Sequence, residues 1–596
     1  MSEKAKTRGE APKTAGGRTN GKTGRRTFGR AAGQSDGKPG GKSFGKPAGK
    51  AGGKNFGKPA GKTGGKSFGK PAGKADGRSF GKPEKAKRFS GTSGTAERPA
   101  AEERKYTGKP GPAGRPAGGR PFGRRPAAPG SAVRKTPAVP ARKARPEEME
   151  GLASRRAALK VIQAVTEEGA YASLVLDRTL TGSGLSGADR RLAARLAYDT
   201  LDRMIYLDHM LGQVMAREDT DIRLRNILRL GACQILIEDR IPESAATNTC
   251  VQLCTEIGLE ALKGVCNGIL RNLIRRKEEL KLPDPAESPE ESFAIRNSLP
   301  VWLAKRLRAD WGEEEAEKIA TWRNPEGGIT IRRNLIRTDE AGFQAMLDKK
   351  VWEKEAGTIP GTRKIRGAMD IAKDADFLAG NFSIQSESSM MACLAVGAKR
   401  GSQILDCCAA PGGKSCYLSE MMGDTGRVQA WDIHEHRVAL IAAQQKRLGL
   451  ENIRPITRDA SRYREDLETR MDAVLLDAPC SGLGVIAEKP DIKGRVTEES
   501  VEELIRIQQK ILETVCRYVR PGGVLVYSTC SVLKDENENQ IRAFLERHPE
   551  FEAEKLPAAI PEQYRRHEGL GLQLMPHRDG VEGFYICRMR RKDTDA

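Results

Sequence analysis

Residues 403–415 read Gln-Ile-Leu-Asp-Cys-Cys-Ala-Ala-Pro-Gly-Gly-Lys-Ser. Ile404 and Leu405 close a short apolar run with Asp406 at its tip. Small residues and a Pro-Gly-Gly turn then lead into Ser415, Tyr417, Leu418 and Met421, a pattern of buried strand, tight loop and helix. Glycines let a backbone approach a ligand closely, and a helix N-terminus offers unpaired N–H groups. The loop is neither the dinucleotide G-x-G-x-x-G nor a Walker A motif, since Cys408 stands five residues before Gly413. A nucleoside cofactor without a phosphate chain remains, and S-adenosylmethionine fits.

Downstream runs repeat the strand-then-carboxylate pattern. Arg427 to Trp431 ends in Asp432, 26 residues past Asp406, where an acidic side chain can accept both ribose hydroxyls. The piece Arg454 to Ala460 carries Asp459. Met471 to Leu476 delivers Asp477-Ala-Pro-Cys480-Ser, and Gly523 to Tyr527 delivers Ser528-Thr-Cys530-Ser. Between the last two, Leu504, Ile507, Ile511, Leu512 and Val515 mark one face of a helix. The expected fold is a doubly wound α/β sheet with its chemistry at the carboxyl ends of the strands. Two thiols and a carboxylate converge there.

Cys408 to Lys414, Cys-Ala-Ala-Pro-Gly-Gly-Lys, resembles motif I of the RNA cytosine-5 methyltransferases of the Nol/Nop/Sun family. The resemblance implies a Rossmann-like S-adenosylmethionine methyltransferase domain. Its cofactor loop would be Cys408, Ala409, Ala410, Pro411, Gly412, Gly413 and Lys414, with Asp432 on the ribose, Asp459 near the adenine amine and Asp477 near the methyl donor. Cytosine C5 attacks a sulfonium methyl poorly until a thiolate adds to C6. DNA cytosine-5 enzymes use a Pro-Cys nucleophile, which Pro479-Cys480 would offer. Thr529-Cys530 matches the nucleophile motif of the RNA family, so the resemblance implies Cys530 as nucleophile and Cys480 as product-release residue. Asp477 would hydrogen-bond the base edge, and Lys414 is a candidate for lowering a thiol pKa or holding a phosphate.

Residues 1–146 hold 37 Lys+Arg against 8 Asp+Glu, a balance of +29 in a chain whose total is +23. This stretch is rich in Gly, Lys and Pro and nearly lacks Val, Ile and Leu, so disorder is expected. Phe44, Phe56, Phe68 and Phe80 recur every 12 residues among cations, which suits loose RNA contact as well as simple solubilisation. Residues 150–285 show helical periodicity, and texts such as Asp189-Arg-Arg and Cys266-Asn-Gly-Ile-Leu-Arg-Asn resemble the NusB-like RNA-binding domain that precedes one branch of the Sun family. A small α+β module is expected over 294–380 and the catalytic domain over 381–592.

No run is long and apolar enough for a membrane span, and the 12 cysteines form no C-x-x-C or zinc framework. The expectation is a cytoplasmic, metal-free enzyme acting on RNA, with small-subunit (16S) ribosomal RNA implied by the NusB-like half. A transfer RNA or large-subunit substrate, or a non-catalytic RNA-binding assembly factor, is the alternative. Protein partners are not legible.

Overall fold

A computed structural model describes residues 149–217, 219–323, 327–368 and 370–593. The basic N-terminal repeats lie outside the described residues.

Seven α-helices between Leu152 and Arg276 form the first layer. Their apolar positions recur at helical spacing, so Leu159, Ile162, Leu196, Ile227, Leu228, Leu253 and Leu270 meet in one core. Helix ends are fixed locally: the Ser186 hydroxyl accepts the Asp189 N–H at 3.2 Å, and Asp221 accepts the Arg223 N–H at 2.9 Å.

Two further helices, Pro289–Arg296 and Val301–Thr321, lead out of this array; the second is broken at Gly312, whose φ is 76°. Their apolar faces do not turn back to the helical core. Phe293, Leu303 and Leu307 pack on Leu483, Val532 and Leu533, the residues that follow the two candidate cysteines.

Strands β1 (Ile329–Arg333), β2 (Glu353–Ala356), β3 (Thr362–Arg366) and β4 (Phe382–Ile384) make an antiparallel sheet in the order β2-β3-β1-β4. β4 lies beyond residue 380, where sequence reading ends the small module. Ser383 pairs with Arg332, so the sheet takes its last strand from the stretch assigned to the catalytic domain. At three residues, β4 is too short to announce itself by alternation.

The catalytic sheet contains β5 (Gln403–Asp406), β6 (Arg427–Asp432), β7 (Ile453–Thr457), β8 (Met471–Asp477), β9 (Val519–Thr529), β10 (Phe551–Glu554), β11 (Glu568–Gly569), β12 (Gly571–Leu574) and β13 (Phe584–Arg591). The order is β11-β12-β13-β9-β8-β5-β6-β7, with β10 also pairing β13. The five strands β7-β6-β5-β8-β9 are parallel, and β13 runs antiparallel to β9. Pro455 sits on β7, the outer strand, where a missing N–H costs no central ladder bond.

Both faces of this sheet are covered, which is why its strands read as continuous apolar runs. Ile404, Val428, Ala473 and Val526 point to one side, under Met391, Cys416, Leu418 and Ile441. Leu405, Trp431, Val474 and Tyr527 point to the other, under Ile511, Leu512, Ile541 and Phe544.

On the helix Glu498–Val515 the expected apolar face is partly wrong. Ile507 is 39% exposed while Gln508 is fully buried. The amide of Gln508 is held inside by the Pro479 carbonyl at 2.9 Å and a Glu536 carboxylate oxygen at 3.0 Å.

Candidate active site

β5 ends at Asp406, and the chain turns through Cys407–Gly412 into the helix Gly413–Met421. The turn is pinned by Ala409 N–H to the Trp431 carbonyl at 2.7 Å and Gly412 N–H to the Ala409 carbonyl at 2.8 Å. Gly412 has φ 106°, and a Cβ there would lie 3.1 Å from the Ile441 Cα, so a side chain is excluded twice over. Asp406 is fully buried. One carboxylate oxygen accepts the Ser415 hydroxyl at 2.6 Å, and the other has no partner in the structure. Burial pushes its pKa up to about 7 against the Ser415 hydrogen bond.

Asp432, at the tip of β6, accepts the His434 N–H at 3.0 Å and lies 3.2 Å from Arg437. Its charge reaches Cys408 and Asp406, as does that of Asp477. The loop, Asp432 and Asp477 therefore surround one place. Asp459 is occupied locally, accepting the Ser461 N–H at 2.9 Å and the Ser461 hydroxyl at 2.7 Å.

The pairing of β8 with β9 sets the rest. Asp477 lies opposite Ser528, so Cys480, three residues on, and Cys530, two residues on, leave the sheet at the same level. Their sulfurs are 3.4 Å apart, and neither residue is fully buried. Asp477 accepts Lys414 Nζ at 2.7 Å on one oxygen and the Ser528 hydroxyl at 2.9 Å on the other. Lys414 thus bridges the loop after β5 and the thiol pair. Burial alone would lower the pKa of its ammonium, but Asp477 outweighs burial and the net shift is well upward, so the lysine stays charged.

Two thiols this close share one proton more readily than they lose two. The hydrogen bond from Cys480 lowers the Cys530 pKa, assisted by the charges of Lys414 and Lys489. The same hydrogen bond, followed by burial and the nearby carboxylates Glu536 and Asp477, pushes Cys480 well up. The arrangement favours negative charge on Cys530, with Cys480 the better donor between the two sulfurs. It can add to an electron-poor carbon and has a second sulfur within reach to manage a proton.

Sequence reasoning missed Ser528, Gln508, Lys489 and above all Glu536, which is fully buried and receives hydrogen bonds from residues beside both cysteines. Only the polar run Asp535-Glu-Asn-Glu-Asn, five residues past Cys530, carries a signal for it. A cavity of about 350 Å³ lined by Trp322, Thr330, Glu387, Glu488 and Glu582 contains neither thiol, so cavity size does not locate the chemistry.

Comparison with known proteins agrees with this geometry. Residues 393–590 match the family described as 16S rRNA methyltransferase RsmB/F, residues 152–275 match the NusB family, and residues 299–362 match the ferredoxin-like domain of Methyltr_RsmF/B-like proteins. The probable ribosomal RNA small subunit methyltransferase B of Bacillus subtilis is 35% identical over 74% of this chain and 100% of its own length. The ribosomal RNA small subunit methyltransferase B of Shewanella oneidensis is 30% identical over 73% of this chain and 98% of its own. The crystal structure of PH0851 superposes with a TM-score of 0.64 at 25% identity, covering 74% of this chain and 99% of that one.

Proposed function

The chain belongs to the 16S rRNA methyltransferase RsmB/F family, and we propose that it methylates C5 of a cytosine in 16S rRNA through a covalent adduct to Cys530. It is an S-adenosylmethionine-dependent methyltransferase. The observation that carries the residue assignment is the thiol pair, 3.4 Å apart at the ends of β8 and β9, beside the Lys414–Asp477 ion pair.

The residues present fit the cofactor. The side-chain-free Gly412 lets the loop come close, Asp432 offers a carboxylate for ribose hydroxyls, and the orphaned Asp406 oxygen can accept a further hydrogen bond. Bound S-adenosylmethionine supplies an electrophilic methyl group on a sulfonium. Asp459 is proposed for the adenine end.

In the proposed sequence the Cys530 thiolate forms a bond to C6 of the flipped-out base, and the electron pair of the C5–C6 double bond moves toward C5. Asp477, held by Lys414 and Ser528, hydrogen-bonds the N3 and N4 edge of the base, accepting from the N4 amine and orienting the ring while N3 is protonated as charge develops there. Once Cys530 is bound to carbon its negative charge is gone, so Cys480 gives up its proton to solvent. C5 would take the methyl group with that electron pair, the bond from the methyl to sulfur breaking and its electrons staying on sulfur as a neutral thioether, and Cys480 then takes the proton from C5. The C–H electrons re-form the double bond, the Cys530–C6 bond breaks, and Cys530 leaves as a thiolate. The enzyme acts in the cytoplasm on this reading, as expected for a protein that modifies ribosomal RNA, and the basic tail with its periodic Phe residues adds sequence-independent RNA contact.

Mapping 5-methylcytosine in 16S rRNA with and without the protein tests the function. A cytosine whose methylation depends on the protein supports it, and an unchanged map rejects it.

A further inference from the structure

Glu536 receives more hydrogen bonds than any role in the proposed chemistry demands. One carboxylate oxygen accepts the Ser481 hydroxyl at 2.5 Å and the Ser531 hydroxyl at 2.5 Å; the other accepts the Ser481 N–H at 2.8 Å and the Gln508 amide at 3.0 Å. Ser481 and Ser531 are the residues directly after Cys480 and Cys530. They also touch each other, with hydroxyl oxygens 3.2 Å apart. A single carboxylate therefore ties together the two loops that carry the sulfurs.

The tie is braced from outside. Trp311 donates its indole N–H to the Val532 carbonyl at 2.9 Å, Arg306 pairs with Asp535 at 2.5 Å, and Asp310 accepts the Lys534 N–H at 3.1 Å. The helix Val301–Thr321 thus holds the segment 532–535 that leads into Glu536. Inside, the Gly484 N–H donates to the Cys530 carbonyl at 2.9 Å, so the loop after Cys480 is hydrogen-bonded to Cys530 itself.

Resting on the assignment of Cys530 and Cys480 as the reacting pair, we infer that Glu536 is the positioning residue that holds the two sulfurs together and, until Cys530 is bound to carbon, keeps the proton on Cys480. Glu536 touches no reacting atom. Glu536 is tied to the residues after both cysteines, but its charge acts on Cys480, where together with burial it disfavours negative charge on the sulfur. The lysines reach the other sulfur: Lys414 and Lys489 both favour charge on Cys530. Asp477 acts on both sulfurs, so the lysines at Cys530 and Glu536 at Cys480 are what make two chemically identical groups unequal. Glu536→Gln keeps the shape, removes the charge and replaces one acceptor by a donor, so it weakens both effects.

The test uses the full chain carrying Glu536→Gln. Alkylation of Cys530 and of Cys480 by iodoacetamide is followed from pH 6 to 9.5 by peptide mass spectrometry, and melting is recorded in parallel. In the wild type Cys530 is expected to react faster than Cys480. The variant is expected to lower the Cys530-to-Cys480 rate ratio about tenfold, equivalent to one unit of relative pKa. An unchanged ratio in a folded variant overturns the inference, because a merely structural carboxylate would change melting without changing which thiol ionises.

If Glu536→Gln does not fold, the pair Ser481→Ala and Ser531→Ala removes both hydroxyl contacts, so Glu536 loses its hold on the Cys530 loop and keeps only the Ser481 N–H on the other side, with the charge left in place. Diamide, which oxidises adjacent thiols to a disulfide, is then expected to join Cys480 to Cys530 at least about fivefold more slowly than in wild type, and an equal rate overturns the inference. Cys530→Ala is assayed for methyl transfer alongside. Activity in that variant would remove the nucleophile assignment while the labelling ratio continues to report on Glu536.

Discussion

Lys414–Asp477 and Lys493–Asp202 are chemically the same ion pair: each has Nζ 2.7 Å from a carboxylate oxygen, and all four side chains are largely shielded from solvent. Their electrostatics run in opposite directions. Around Lys414 the neighbours are acidic, with Asp477 and Asp406 both favouring its charge, and its pKa is held well above the ordinary value. Lys493 is buried deeper, and burial drives its pKa down to about 8; Asp202 resists, but Arg323 and Arg203 add positive charge nearby. The first pair keeps a cation beside the two thiols. The second closes a junction where the helical array, through Asp202, meets Arg323 and the segment Pro490–Gly494 of the catalytic domain. What a buried lysine does depends on the net charge around the pair, not on its partner.

The two pairs should therefore fail differently. Asp477→Asn removes the carboxylate that faces the base and leaves Lys414 unneutralised. Its expected effect is a fall in kcat of at least about 100-fold with KM for RNA changed less than about threefold, read by methyl incorporation. A kcat within about fivefold of wild type would remove Asp477 from the chemistry.

Asp202→Asn leaves Lys493 and Arg323 facing each other without an anion. Breaking one member of a buried pair costs about 3–5 kcal/mol. Denaturant unfolding should show that loss, with kcat per folded molecule retained to within about threefold. Loss of kcat without loss of stability would mean that the junction acts on the chemistry after all.

The pH dependence sharpens the contrast. The folded pKa of Lys493, about 8, lies below its ordinary value of 10.5. The unfolded chain therefore binds more protons in that window, and the contribution of Lys493 to stability rises as the pH goes from about 8 toward 10.5. The stability of wild type relative to Lys493→Met should increase over that range and stay flat below pH 7; a difference that falls with rising pH would reverse the sign assigned here. Lys414 is shifted the other way and contributes no rise in that window.

The same contrast explains what the sequence could disclose. The loop after β5, the aspartates that end β5, β6 and β8 and the two cysteines stand out in the sequence because each lies in a local pattern of apolar run, turn and small residue. The register of β8 on β9 brings Asp477, Cys480 and Cys530 together without information from elsewhere. The junction is not legible. Asp202, Arg323 and Lys493 are 121 and 291 residues from one another's nearest contact in the chain, and each reads as an ordinary surface charge. Gln508 and Ile507 exchange inside for outside for a related reason, since a polar residue is buried where a distant carboxylate and carbonyl satisfy it. β4 escaped because three residues cannot display a period.

The smallest effect is expected at the N-terminus. Deleting residues 1–146 removes a balance of +29. RNA affinity should weaken and its dependence on salt flatten, with kcat for methyl transfer kept within about twofold. Unchanged affinity at low salt would leave the tail a solubilising role alone.

Everything rests on the unequal thiols, and RNA carrying 5-fluorocytosine at the target position tests them most directly. Fluorine at C5 cannot leave as a proton does, so a cysteine bonded to C6 stays bonded. A denaturation-resistant protein–RNA complex is predicted for the wild type, with the modified peptide containing Cys530. The complex should be retained in Cys480→Ala and absent in Cys530→Ala. A complex through Cys480, or one that persists in Cys530→Ala, contradicts the account.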